Sequence, residues 1–330
     1  MRLIDNCPLV SIIIPAYNPG KWLIKCLDSV ISQTYINFEC IIFDDGSTDG
    51  SGLIMDEYAK KDKRLSVIHG KNEGPCCVRN KGIAEAKGDW IVIVDSDDWI
   101  ESGYIEGFLS ADCESQMVIQ SIEDYLKDHP CCNIKYHFPD KKWEKSDIAL
   151  LFSEEKMMKY GTTWSRMYKR DIIQKYNLRF NPSYSSKEDV LFAHQYLAKC
   201  DVISTVSYCG YHYIYHSSSL AHTVSLHMSS KALRDVSVDI FEICRQNKNL
   251  CSSRNTTHLI EKIGAYAIHS SVGFMYCGQK KSTKDKIQFI RETKVLLKKY
   301  HLLGYLIKRP KYAFYILPSC LIHIIYSLKK

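Results

Sequence analysis

The sequence predicts an α/β fold: a mostly parallel sheet flanked by helices, with a helical C-terminal extension. Three observations lead there. Short β-branched apolar runs alternate with helix-length amphipathic stretches from Leu9 to Trp99, each run halts in polar or acidic residues, and from about His222 the pattern turns helical and basic. Such alternation builds β-α-β units with right-handed crossovers, so the strands lie parallel with helices on both faces. A length of 330 residues exceeds what one core usually holds, which fits one large domain at 1–220 and a smaller extension at 221–330. With 45% hydrophobic and 25% charged residues the chain is globular rather than disordered.

The first strand is Leu9 to Pro15, ended by a proline that cannot continue the hydrogen-bond ladder. Ala16-Tyr17-Asn18-Pro19-Gly20 turns into a helix marked by Leu23, Cys26, Leu27, Val30 and Ile31 at three- and four-residue spacing. Phe38 to Phe43 is the second strand, closed by Asp44-Asp45-Gly46-Ser47-Thr48-Asp49, and Leu53, Ile54 and Tyr58 mark the next helix. Leu65 to Ile68 is the third strand. Asn72-Glu73-Gly74-Pro75 then opens a helix through about Ala86, its proline in the first turn, where a missing N–H costs little. Gly88 ends it. The fourth strand starts at Asp89-Trp90 and runs, apolar throughout, into Asp95-Ser96-Asp97-Asp98.

In an open α/β sheet, ligands bind just beyond the carboxyl ends of the strands. Parallel strands bring Tyr17 and Asn18, Asp44 and Asp45, and Asp95 to Asp98 to one rim. Asp and Ser are also ordinary turn and cap residues, and Tyr17 could simply cover the core. Three such tips on one edge favour a site. Clustered carboxylates repel one another without a cation, and hard oxygen donors suit Mg2+ or Mn2+ shared with a phosphate-bearing substrate. The expectation is a metal-bound diphosphate site.

Val10-Ser11-Ile12-Ile13-Ile14-Pro15-Ala16-Tyr17-Asn18, Asp44 to Asp49, Asn72-Glu73-Gly74 with Arg79-Asn80, and Asp95-Ser96-Asp97-Asp98 resemble the successive motifs of the family 2 glycosyltransferases. These are inverting enzymes with the Rossmann-like GT-A fold. The resemblance implies a nucleotide-binding half at about 8–110 and an acceptor half at about 111–220. It implies a nucleotide-base pocket at Pro15, Ala16, Tyr17 and Asn18, with Asp45 or Asp44 hydrogen-bonding the base. Asn72, Gly74 and Arg79 fall near the nucleotide and diphosphate, with Val78 where the family's small alanine is usual. Asp95 and Ser96 fall in the donor site, Asp95 beside the ribose, and Asp97, with Asp95, on the metal.

Beyond Asp98 the alternation dissolves into shorter strand candidates at Met117 to Ile119, Tyr136 to Phe138 and Val202 to Tyr215. Lys187-Glu188-Asp189-Val190-Leu191-Phe192, continued by Gln195, Tyr196 and Leu197 at helical spacing, puts two acids at a helix start. Capping alone accounts for acids there. The chemical reading is that inverting transfer needs a carboxylate to take the acceptor hydroxyl's proton. Glu188-Asp189 resembles the family's E-D motif, which implies Asp189 as base, with Glu188 positioning the acceptor or exchanging roles with it. Trp164-Ser165-Arg166-Met167-Tyr168-Lys169-Arg170 resembles the family's acceptor loop, with Arg166 where a lysine is common; Trp164 stacks on a sugar face or packs in the core. Some relatives carry a late histidine on the metal, for which His216 is the candidate, a surface or core histidine being the plainer reading.

The reading is a hexosyltransferase dependent on Mn2+ or Mg2+ that moves a sugar from a nucleotide-sugar donor, a UDP-sugar for preference. The acceptor is a hydroxyl of a saccharide or lipid-linked saccharide in surface polysaccharide biosynthesis. A catalytically silent nucleotide-sugar or glycan-binding module is the alternative, though it needs neither the D-x-D motif nor Glu188-Asp189. A sugar nucleotidyltransferase would carry a glycine-rich phosphate loop that Pro15 to Gly20 does not supply. The net charge of +7 is dispersed and no recognition motif accompanies it, which argues against nucleic acid. The 14 cysteines include no C-x-x-C pair, and several lie in apolar runs (Cys26, Cys40, Cys320), so reduced thiols in a cytoplasmic protein are expected. Met1 to Pro8 lacks the design of a signal peptide. Tyr312 to Leu328 is apolar but broken by Pro318, Ser319 and His323, which is short for a bilayer span of about 20 residues. Flanked by Lys308, Arg309, Lys311, Lys329 and Lys330, it is expected to lie in an anionic membrane surface at the inner face of the cell membrane, or else to pack on the catalytic domain.

Overall fold

The computed structural model describes residues 2–123, 135–145, 147–148, 151, 163–184, 187–214, 230–247, 251, 254–276, 282–307 and 327. Strands and helices alternate as predicted in β1 (Val10–Ala16), α1 (Trp22–Ile31), β2 (Phe38–Asp44), α2 (Ser51–Lys61), β3 (Leu65–His69), α3 (Pro75–Glu85) and β4 (Trp90–Ile93). Shorter pieces follow: β5 (Trp99–Ile100), α4 (Tyr104–Leu109), β6 (Met117–Gln120), β7 (Ile122–Glu123), β8 (Lys135–Tyr136), β9 (Lys141–Glu144), β10 (Arg166–Lys169), α5 (Arg170–Lys175), α6 (Glu188–Leu197), β11 (Val202–Val206) and β12 (Tyr211–His212). The extension contributes α7 (Ser230–Gln246), α8 (Arg254–Tyr276), α9 (Thr283–Lys299) and α10 (Leu303–Ile307).

Eight strands form one sheet in the order β3-β2-β1-β4-β10-β6-β11-β9. The first four are parallel, and β6 and β11 are parallel to each other. β10 runs antiparallel between β4 and β6, and β9 antiparallel to β11. The segment expected as an acceptor loop is therefore a central strand from Arg166 onward. The strand expected at Val202 to Tyr215 breaks into β11 and β12, and β12 pairs with β5 in a separate ribbon.

Alternate side chains of a strand face opposite sides of the sheet. Ile12, Ile14 and Val92 pack on Leu23, Cys26, Leu27 and Val30 of α1, while Ile13, Ile91 and Ile93 share the other core with Cys76 and Ile83 of α3. Gly82 lets α3 settle on β1: a Cβ there would lie 2.4 Å from Ile13 Cγ2. The α3-side core runs on through Leu191, Phe192 and Tyr196 of α6 into Val236, Ile240 and Phe241 of α7, Ile268 of α8 and Ile290 of α9. The extension shares a hydrophobic core with the sheet.

The cysteines of the described residues are free thiols, with Cys26, Cys40, Cys76, Cys200 and Cys244 buried. Among the described residues no helix is long and apolar enough to cross a membrane. The tail expected at Tyr312 to Leu328 lies outside the described residues except for Ser327.

Candidate active site

The tips of β1 to β4 meet on one edge, stitched together by hydrogen bonds. The Asp45 N–H donates to Ala16 O at 2.8 Å, joining the first two tips. Asn18, in the left-handed region at φ 49°, donates its N–H to Ser47 Oγ at 3.0 Å and accepts Thr48 N–H on Oδ1 at 2.7 Å. The Asp44 carboxylate accepts Ser47 N–H at 2.8 Å and faces His69 Nδ1 at 2.9 Å, whereas Asp45 accepts the N–H groups of Glu73 and Gly74 at 2.8 and 2.9 Å. Gly46 turns at φ 79°, and a Cβ there would stand 3.2 Å from Asn72 N. Tyr17 is half exposed on the rim, beside Pro15, Ala16 and Asn18. The sequence left Asp44 and Asp45 interchangeable; the structure gives them different partners.

α3 begins at Gly74-Pro75 and points Arg79 into the protein. Its side chain is only 9% exposed, and the guanidinium reaches Asp95 Oδ1 with Nη2 at 3.2 Å and Glu188 Oε1 with Nη1 at 3.0 Å. Those two carboxylates, together with Asp189, overcome the opposing effect of burial and raise the Arg79 pKa, so it stays a cation. The neighbouring Asn80 clasps the backbone of Phe180, donating to its carbonyl at 2.9 Å and accepting its N–H at 2.8 Å. One turn of α3 thus grips both the acidic strand tip and the chain entering α6.

At that tip Asp95 and Asp97 are partly exposed, while Ser96 and Asp98 are buried. Asp98 accepts Tyr211 O–H at 2.6 Å and Ile214 N–H at 2.7 Å, and the same Tyr211 oxygen accepts Asp95 N–H at 3.2 Å. Burial first, then the charges of Asp95 and Asp97, push the Asp98 pKa well up. No role was read for Asp98, Tyr211 or His69 from the sequence. The available signals were only a third carboxylate after D-x-D and a histidine just past the third apolar run.

Asp189 sits in the first turn of α6 behind Lys187, which adopts φ 59°. Some of its surface meets solvent, yet protein packs closely round the carboxyl. That burial, reinforced by the Glu188 charge and opposed by Arg79, pushes its pKa up to about 6. Trp164 lies parallel to Tyr211 and Tyr213 with centroids 5.1 and 6.1 Å away, so the ring that buttresses Asp98 also carries Trp164. Arg166 corrects the acceptor-loop reading. It opens β10 opposite Ile119 of β6 and is 2% exposed, so it belongs to a sheet strand rather than a loop.

Among the described residues no three His, Cys, Asp or Glu side chains are arranged to hold a metal ion by themselves; His216 lies outside them. The partly exposed carboxylates of Asp95 and Asp97 nevertheless fit a divalent cation of the Mg2+ or Mn2+ kind, which usually binds through one or two carboxylates and completes its shell with substrate phosphates and water.

Residues 11–177, slightly more than half of the chain, match the sequence profile of Glycosyl transferase family 2. EpsH of Bacillus subtilis is 36% identical over 227 residues, which cover 64% of this chain and 62% of EpsH. Glycosyltransferase GlyA of Streptococcus pneumoniae is 33% identical over 202 residues, 59% of this chain and 29% of GlyA. The chain thus spans less than two thirds of the length of either relative. Among solved structures, S. aureus TarS 1-349 in complex with UDP-GlcNAc superposes with a TM-score of 0.71 over 96% of this chain and 90% of that one, at 16% identity. Mannosyltransferase PcManGT from Pyrobaculum calidifontis, in complex with GDP-Man and Mn2+, gives 0.54 over 98% and 86% at 14% identity. These likenesses show the GT-A fold, and with the profile running from the first strand past β10 and α5, the chain belongs to glycosyl transferase family 2.

Proposed function

We propose that the chain is an inverting hexosyltransferase that moves a sugar from a nucleotide-diphosphate donor, by preference a UDP-sugar, to a hydroxyl of a saccharide or lipid-linked saccharide during surface polysaccharide assembly. The observation that carries this reading is the Arg79 bridge, which brings the acidic strand tip and the Glu188-Asp189 pair to a single guanidinium. In an inverting displacement the base stands across the sugar from the leaving group, and this bridge sets the two machineries side by side. A structural neighbour seen with UDP-GlcNAc and with UDP supports the donor class.

The base and ribose would lie along Pro15, Ala16, Tyr17, Asn18, Asp45 and Asp95, with Asn72, Gly74, Arg79 and Ser96 towards the diphosphate. Asp97 with Asp95 would hold Mn2+ or Mg2+, which when bound neutralises charge gathering on the departing diphosphate. Asp189 takes the proton of the attacking hydroxyl. A carboxylate whose pKa lies near 6 is a better proton acceptor than an ordinary Asp and is still ionised at neutral pH. Glu188, held by Arg79, positions the acceptor, and Trp164 offers its ring to an acceptor sugar. Exposed Lys284, Arg291, Lys298 and Lys299 on α9, followed by the basic tail, suit peripheral contact with an anionic membrane, which cosedimentation with anionic vesicles tests.

The test is nucleoside diphosphate release from UDP-, GDP- and dTDP-sugars with either metal or a chelator, alongside calorimetric binding. Metal-dependent turnover of one donor, lost in Asp97→Ala and in Asp189→Asn, is expected. Binding of a donor without turnover on any saccharide acceptor would favour the silent module, and no binding to the folded protein would remove the donor reading.

A further inference from the structure

We propose that His69 is a positioning residue for the nucleotide cradle, holding the turn after β2 in place through Asp44. The contacts themselves require no ligand; their consequence for UDP rests on the donor reading above.

His69 closes β3 with its ring between two carboxylates, Nδ1 at 2.9 Å from Asp44 Oδ2 and Nε2 at 3.1 Å from Asp56 Oδ1 on α2. Both nitrogens can donate only in the imidazolium; a neutral ring turns a lone pair towards one of the two acids. Asp44 is buried and spends its other oxygen on Ser47 N–H. Ser47 Oγ in turn accepts Asn18 N–H, Asn18 Oδ1 accepts Thr48 N–H, and Asp45, next along the chain, accepts the N–H groups of Glu73 and Gly74. His69 therefore stands at the root of a net joining the tips of β1 and β2 to the entry of α3. α2 closes over the pair at Gly52, where a Cβ would come within 3.2 Å of Asp44 Oδ2 and 3.5 Å of His69 Cε1.

The charged groups facing the ring are Asp44 from β2 and Asp56 from α2. Hydrogen bonds to them raise the His69 pKa. The Asp44 pKa, which burial alone would raise, is held below the ordinary value by Ser47 and His69. The sign follows: the net is held below the raised imidazole pKa and loosens as pH climbs through it.

The experiment is calorimetric titration of the full chain with UDP from mildly acidic to mildly alkaline pH, with amide and histidine-ring NMR of the nucleotide-free protein. Wild-type affinity should fall about threefold across the His69 transition, the worth of a charge-assisted hydrogen bond at a ring that solvent half screens. His69→Gln should bind weakly with that pH dependence gone. Asp56→Asn, a surface change on α2, should keep the fold and move the transition to lower pH. The amides of Ser47 and Gly74 should titrate with the ring. Wild-type affinity and pH profile in His69→Gln, or a Ser47 amide that ignores the ring, overturns the proposal. If UDP fails to bind wild type at every pH, the preference for a uridine donor falls, while the amide titration still decides the role of His69.

Discussion

Arg79→Met removes the cation that faces Asp95 and Glu188 together. Glu188 is 11% exposed on its side chain and Asp95 28%, so water can replace the guanidinium at Asp95 far better than at Glu188. Breaking a buried pair from one side typically costs about 3–5 kcal/mol, because the surviving charge stays buried. With one of the two carboxylates able to hydrate, the loss should fall near the low end, about 3 kcal/mol, read from urea unfolding. A second effect is kinetic. Arg79, with the Val190 N–H, holds the Asp189 pKa down against burial and Glu188, so its removal raises that pKa and moves the acid limb of the transfer rate to higher pH. Arg79→Lys keeps the charge but cannot span both acids with a planar fork, so it should recover part of the stability and little of the rate. Stability within about 0.5 kcal/mol of wild type, the range of ordinary surface changes, together with an unmoved acid limb, would refute the bridge as the organiser of the site.

Asp189→Asn should keep UDP affinity and lose about 10²–10⁴ of the transfer rate, the usual worth of a positioned base; a near wild-type rate would reassign the role. In the wild type the acid limb of the rate should fall near pH 6, since Asp189 must be ionised to act, and a limb in the ordinary aspartate range would contradict the burial argument. Asp98→Ala strands the Tyr211 hydroxyl and Ile214 N–H, at about 1–3 kcal/mol for each unsatisfied group, and should raise the metal concentration needed for half-maximal rate. If urea unfolding and metal titration both match wild type, that clasp is idle. Gly82→Ala forces a methyl to within 2.4 Å of Ile13 Cγ2, an overpacking cost of about 1–3 kcal/mol that outweighs the gain of about 1 kcal/mol in helix propensity; a stabilised protein in the same unfolding assay would show that α3 can lift off β1 freely.

The parallel half of the sheet was legible because its signal is local. Val10, Ile12, Ile13, Ile14, Ile91 and Val92 are inaccessible to solvent, and a strand buried on both faces writes that burial as a continuous apolar run. Parallel direction then placed the polar tips on one edge. β10 was not legible, since Arg166-Met167-Tyr168-Lys169 has only two apolar residues between two cations, too short a run to mark a strand, and its burial comes from β4 and β6, which are remote in sequence. The sequence around Arg166 therefore reads as a loop. Asp98 failed for a related reason: its partner Tyr211 is 113 residues away, and nothing in the local pattern distinguishes a carboxylate facing solvent from one clasped inside. His69 was lost at a boundary, one residue beyond the apolar run that ended the predicted strand.

The helices after residue 229 pack on α6 although they supply none of the residues proposed for catalysis. α6 carries Glu188 and Asp189 on its first turn, so whatever holds α6 holds the base proposed above. On the sheet side Phe192 stacks on Phe180 at 4.1 Å and meets Tyr168 edge-on at 5.6 Å, while Tyr196 meets Tyr168 at 4.9 Å. The same apolar cluster continues into Val236, Ile240 and Phe241 of α7, and Tyr184, just before α6, donates its hydroxyl to Asp239 at 2.6 Å. Burying side chains of this size contributes about 1.5–3 kcal/mol each, so the clamp on α6 is worth several kcal/mol and a good part of it comes from α7. The match to the family profile ends at residue 177, before α6 begins. The acidic tip and Arg79 therefore lie within the span of the family profile, whereas α6, which carries Asp189, packs against the extension. Residues on either side of the expected boundary at 220 and 221 thus share one apolar core, which ties the position of α6 to the helices that follow it.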